Sequence, residues 1–225
     1  MGFNTSEIGV KLALFYVPFL FALCFHEYAH GWMARRKGDD TALIMGRLTM
    51  NPLAHMDLVG TFLIPMFVII TGSSFFFGWA KPVPVNSRNL KNVKKDMFWI
   101  AIAGPLSNVI LAAIGSVLLS VSLTVQMQDE LLLRGIRQFF VFFIQINLML
   151  AFFNMLPFHP LDGAKVLARF LPFKWNYWLE QNQGILQIVL IMLMFTGAFH
   201  YIAVPVKWAS DILVNSSFAM AGIPL

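Results

Sequence analysis

Residues 8–34 read IGVKLALFYVPFLFALCFHEYAHGWMA, and the reading of this run decides the fold. An apolar run of that length is long enough to cross a bilayer as one helix. On a helix, residues four apart share a face, so His26 and His30 can grip one metal ion together. Glu27 projects about 100° round from His26, beside that ion, where it can handle a water proton. Two imidazoles and a carboxylate set in lipid are a liability unless they do chemistry.

Composition points the same way. Apolar residues make up 58% of the chain and charged residues 12%, and mean hydropathy is +0.71. A soluble domain carries roughly twice that charge. Apolar stretches at about 8–34, 57–77, 97–124, 136–157 and 183–206, with a weaker tail at 209–225, predict an all-α polytopic membrane protein of about four to six transmembrane helices. One integral-membrane domain, 1–225, is expected, its catalytic core at about 8–172 and its C-terminal helices at about 183–225. The first run lacks a basic leader and a small-residue cleavage site, so it reads as a retained span. The formal net charge of +5 gathers in loops beside apolar runs, which implicates the bilayer and no nucleic acid. The lone Cys24 excludes an internal disulfide. It lies two residues before His26, on another face of the helix, and reads as packing. All six tryptophans sit at the ends of apolar runs, as interfacial anchors do.

Charge counting sets a topology. Segment 35–56 carries Arg35, Arg36, Lys37 and Arg47; segment 78–96 carries Lys81, Arg88, Lys91, Lys94 and Lys95. If 57–77 crossed the bilayer, these basic segments would lie on opposite sides, against the positive-inside rule. Gly60, Pro65, Gly72, Ser73 and Ser74 also interrupt that stretch. It therefore reads as a re-entrant or β-hairpin-like segment between the first and second core helices, shielded by protein or lining a wet cavity. With 57–77 re-entrant, Asp162 falls at the depth of His30. With 57–77 spanning, the two would lie on opposite sides.

A hydrolytic zinc site wants three protein ligands and an open position. Beyond His26 and His30 the candidates are Asp162, His55, His159, Asp57 and His200. Asp162 is favoured. Pro157 and Pro160 break regular helix before it and Gly163 permits a sharp turn, so the carboxylate can aim at a neighbouring helix. Zn²⁺ against ionised Asp162 and Glu27 also sums to zero charge, the cheapest arrangement in a low dielectric. His159, three residues from Asp162, is the competitor; its other reading is a partner at the polar rim. His55 reads as loop bonding near Asp57, and His200 has no role.

These residues carry a resemblance. The His26–His30 segment, the run from Gly46-Arg47 through Asn51-Pro52-Leu53-Ala54-His55-Met56-Asp57, Gly78-Trp79-Ala80-Lys81-Pro82-Val83-Pro84-Val85-Asn86, Ala103-Gly104-Pro105-Leu106-Ser107-Asn108, and Asn154 with Leu161-Asp162-Gly163 together resemble the site-2 protease family of intramembrane zinc metalloproteases. The match covers roughly residues 20–170 and is closest to the compact branch lacking PDZ and CBS domains. The resemblance implies one zinc per chain held by His26, His30 and Asp162, with Glu27 as base and Asn154 near the scissile peptide. It also implies a multi-pass protein of the cell membrane, its site reached from the cytosolic face, that hydrolyses peptide bonds in membrane-embedded protein substrates. Phe158-His159 departs from the family, which more often has aliphatic or proline residues there.

On this reading Glu27 takes a proton from the attacking water and Asn154 steadies the oxyanion. Asn154 also reads as an amide tying two helices together. Segments 43–50 and 79–86 are expected to form short extended strands, one edge of which pairs with unwound substrate or covers the site. Segment 57–77 is expected to move to admit substrate. Gly104-Pro105, Ser107 and Asn108 read as scaffold. A metal-ion transporter and a non-catalytic zinc-containing scaffold are the competing functions. A transporter would want a path of intramembrane carboxylates and an inverted repeat, and neither is visible. Oligomeric state is not legible.

Overall fold

A computed structural model describes residues 9–71, 78–195 and 199–224; of 194, 195, 199, 200 and 202 the backbone alone is described. The long apolar runs become helices. α1 is Gly9–Arg36, α3 is Val93–Thr124 and α4 is Glu130–Asn154, and these three are long and apolar enough to cross a membrane. Between the first two lie one-turn helices at Thr41–Ile44 and Pro52–His55, and the apolar helix α2, Leu58–Thr71. After α4 come α5 (Asp162–Ala168), α6 (Phe173–Gln181), α7 (Gln183–Phe195) and α8 (Phe199–Met220).

The helix starts are written locally. Asn92 accepts from the Lys95 N–H at 3.1 Å, while Asp96 reaches back to the Asn92 N–H at 2.8 Å. This reciprocal cap begins α3. Asp129 caps α4 through Leu132 N–H at 3.0 Å, and Asp57 caps α2 through Val59 and Gly60. α1 ends at Arg35 and Arg36, cations that suit a helix C-terminus.

α3 is the hub, packed on α1, α4, α5 and α8. In lipid, burial gives no hydrophobic drive between helices, so close packing by small residues and interhelical polar bonds must hold them. Ala22, Ala101 and Ala112 are fully buried at these contacts. The Ser116 and Ser217 hydroxyls bond at 2.9 Å and tie α8 to α3. On the outer face of α3, Leu106, Val109, Ile110, Ile114, Val117 and Val121 are all about half exposed, a helical stripe suited to acyl chains.

Some expectations are corrected. Among the described residues there is no strand, so 43–50 and 79–86 are not the expected short strands, and the β-hairpin reading of the segment between the first and second core helices finds no support. The reason lies in where the N–H groups go. Lys81 N–H donates to His55 O at 2.8 Å, Val83 N–H to Glu27 and Asn86 N–H to Asp39. Pro82 and Pro84 have none to give. Residues 43–50 start inside a helical turn and bend at Gly46, where φ is +65°. The apolar stretch 183–206 is helical at 183–195 and 199–206, with 196–198 outside the described residues.

The residues near the two ends of the stretch 57–77 are bonded to each other. Trp79 N–H donates to Gly60 O at 3.2 Å, and the Thr61 hydroxyl donates to Trp79 O at 2.7 Å. Its residues 72–77 lie outside the described residues.

Candidate active site

Helical spacing puts His26 and His30 one above the other on the α1 face toward α3, and both are buried. Asp162 opens α5, also buried, where a helix N-terminus favours a carboxylate. Asp162 Oδ2 stands 3.1 Å from His26 Nε2 and 3.1 Å from His30 Nε2. The two Nε2 atoms are 3.0 Å apart. Residues 136 positions apart in the chain thus present three ligand atoms as a near-equilateral triangle. Among the described residues this is the one group of three such side chains able to hold a metal ion together.

The outer ring nitrogens set what the inner ones can offer a cation. His30 Nδ1 faces Ile100 O at 2.7 Å, and a carbonyl only accepts, so Nδ1 carries the proton. His26 Nδ1 faces Asn108 Oδ1 at 2.6 Å. The Asn108 amide is oriented by its own nitrogen, which donates to Ala22 O at 3.1 Å and to Asn147 Oδ1 at 2.9 Å. Asn147 is oriented in turn by donating to Phe143 O at 2.9 Å. With Nδ1 protonated on both rings, each neutral ring points an Nε2 lone pair at the other and at a carboxylate oxygen. That arrangement is repulsive until a cation sits among them. Zinc bonds of about 2.0–2.2 Å at tetrahedral angles set ligand atoms roughly 3.3–3.5 Å apart. The triangle is within a few tenths of an ångström of this spacing, so the donor set fits zinc.

Two further features shape the site. α3 passes the imidazole pair at Gly104, where a Cβ would collide with His30 Nε2 and His26 Nε2. Only a residue without a side chain lets the helices come this close. Glu27 is half-buried and outside the triangle; its Oε2 accepts the Val83 N–H at 2.8 Å. The segment 81–85 therefore lies against the α1 face that carries the carboxylate. Lys165 Nζ is 3.6 Å from the second Asp162 oxygen.

The other candidates fall elsewhere. Asn154, the last residue of α4, is half-buried and donates its amide to Leu150 O, one turn back on its own helix. His55 is buried in the loop and bonds Thr49 O at 2.8 Å. Asp57 caps α2. His159 lines a cleft with Lys165, Tyr177 and Glu180, and the His200 side chain lies outside the described residues. Cys24 donates to Met50 O at 3.1 Å, a packing role. Two residues have a part beyond the sequence reading: Asn108, there a scaffold residue, and Asn147, whose only sequence signal is an amide inside an apolar run.

Comparisons with known proteins agree with this chemistry. The chain is 38% identical over 210 residues to "Putative zinc metalloprotease YwhC" of Bacillus subtilis, covering 93% of this chain and 92% of that protein. It is 28% identical over 220 residues to the similarly named Rip2 of Mycolicibacterium smegmatis, covering 96% and 80%. A segment of 86 residues is 45% identical to the similarly named MJ0611 of Methanocaldococcus jannaschii, 38% of each chain. No solved structure matches. The model of peptidase family M50 matches residues 14–128 and 118–196, which takes in the triangle, α3, α4 and α1 from residue 14 onward. The chain belongs to peptidase family M50, the site-2 protease family of membrane zinc metalloproteases.

Proposed function

We propose that this chain is an intramembrane zinc endopeptidase that hydrolyses peptide bonds within or beside the transmembrane segments of membrane-anchored proteins. His26, His30 and Asp162 hold one zinc ion per chain. The single observation that carries the reading is the triangle of ligand atoms whose outer ring nitrogens are already committed to Asn108 and Ile100. Zinc bound there supplies a Lewis acid that makes water acidic near neutral pH. Glu27, next to His26 but outside the ligand set, accepts a proton from the attacking water and returns it to the leaving amine. The Asn154 side chain steadies the developing oxyanion, for which it must release Leu150 O and turn toward the substrate. Segment 81–85 screens Glu27 through the Val83 N–H and yields to an incoming peptide.

Segment 57–77 is re-entrant, a reading supported by the bonds from Trp79 to Gly60 and from Lys81 to His55, which bring the chain back where it left. Both basic segments then face the cytosol, α3 crosses outward, α4 returns, and the site opens on the cytosolic side of the cell membrane. The test uses the purified full chain reconstituted in vesicles, its bound zinc measured and a panel of membrane segments offered as substrate. Glu27→Gln should retain about one zinc per chain while cleavage falls by roughly 10²–10⁴-fold. Retained zinc with unchanged cleavage would remove Glu27 from the mechanism. A wild-type chain that holds zinc and cleaves nothing would favour a scaffold.

A further inference from the structure

Where α1 ends and α3 begins, the molecule holds a second cleft, of about 450 Å³, away from the ligand triangle. Arg35, Arg36, Lys37, Lys91 and Lys95 line it, against the single carboxylate of Asp96. That carboxylate is already engaged: it accepts the Asn92 N–H at 2.8 Å and lies 3.7 Å from Lys37 Nζ. Arg35 shares its charge with exposed Asp40 at 3.4 Å. Lys91 and Lys95 are exposed on the opposite wall.

The cleft is held together by a buried staple. Asp39, fully buried, accepts the Asn86 N–H at 2.7 Å, the Asn89 amide at 2.8 Å, and the Thr41 N–H and hydroxyl. Gly38, at φ +102°, makes the turn that lets it reach them. The staple locks the loop carrying Lys91 to the end of the helix carrying Arg35 and Arg36. Beside the cleft, Trp32 and Trp99 are each about two-fifths exposed. The Arg36 guanidinium lies 4.3 Å over the Trp32 ring, and Lys37 Nζ lies 6.0 Å over Trp99. Tryptophan at this position marks headgroup level.

We propose that this cleft binds the phosphate of one anionic phospholipid headgroup. Lys91 and Lys95 contact the phosphate from one wall and Arg36 from the other, while the acyl chains descend past Trp32 and Trp99. Loose basic residues at a membrane face attract anionic lipid in general; a preformed basic pocket between two spanning helices selects one molecule. The paired tryptophans at its mouth favour a lipid over a free anion.

The full chain is reconstituted in vesicles of one part phosphatidylglycerol to three parts phosphatidylcholine, extracted in mild detergent, and its retained lipids are counted by mass spectrometry. The wild-type chain should retain phosphatidylglycerol over phosphatidylcholine in a ratio at least fivefold above that of the vesicle. Lys91→Gln with Lys95→Gln should bring that ratio down to the vesicle's own, the two lysines together being worth at least about fivefold. Lys91→Arg with Lys95→Arg should keep the preference, which separates charge from folding. A control pair of exposed cations elsewhere, Arg88→Gln with Lys174→Gln, should leave it unchanged. No preference in the wild-type chain, an equal loss in the control pair, or full displacement of the lipid by millimolar inorganic phosphate would each overturn the proposal.

Discussion

At the scale of single residues, the ligand triangle depends on atoms that never touch the metal position. Asn108 fixes the His26 ring by accepting its Nδ1–H, and is itself fixed by Ala22 O and Asn147. Groups that orient a metal-binding histidine typically carry 10–100-fold in metal affinity. Asn108→Ala should therefore weaken zinc binding by about that factor while leaving helix content unchanged, measured by competition with a chromogenic chelator and by circular dichroism. An unchanged affinity would mean that the His26 ring is held by packing alone.

At the scale of elements, the loops between α1 and α3 decide where the ends of those helices stand. Asp39 is the anchor. Burial pushes its carboxyl up, but donors from Thr41, Asn89 and Asn86 outweigh this and hold it below the ordinary carboxylate range. A carboxyl held low in the folded state adds stability above its unfolded value of about 3.9 and loses it as pH falls below that. Thermal melting should show the wild-type chain losing this contribution as pH falls below about 4. Asp39→Asn should be less stable than wild type at pH 7, and the gap should narrow toward pH 3. A gap constant with pH would show that the loop is held by other contacts.

At the scale of the whole molecule, the proposed function couples metal binding to folding, because the unfolded chain brings no triangle together. At a hundredfold excess of metal over its dissociation constant the gain is about 2.7 kcal/mol. Zinc removal by chelator should then lower the Tm of the full chain by roughly 5–10 °C. Glu27→Gln should show the same drop and His26→Ala should show none. The proposed topology has its own check, in a chain with Cys24→Ala and one new cysteine at a time. Cysteines placed at exposed Ile44 and at Arg88, one on each side of 57–77, should react with an impermeant thiol reagent from the same face of sealed vesicles, and one at Gln128 from the opposite face. Ile44 and Arg88 labelling from opposite faces would make 57–77 a span.

Local chemistry was enough to read much of this protein. Length and apolarity foretold the long helices, because lipid forces a backbone to satisfy its own hydrogen bonds. The spacing of His26, Glu27 and His30 placed two imidazoles on one face because helix periodicity does so in any context. Asp162 was singled out by the prolines before it and by charge balance, while its 3.1 Å approach to both rings was fixed only by α5 docking on α3. What stayed hidden were contacts between segments far apart in the chain. The expected strands failed because the N–H groups of 81–86 found a carboxylate on α1, the His55 carbonyl and Asp39 instead of a neighbouring strand. Asn147, Gly104 and Ile100 take their meaning from which helix passes which, and helix crossing is set by side-chain packing across the whole bundle, which no local pattern encodes.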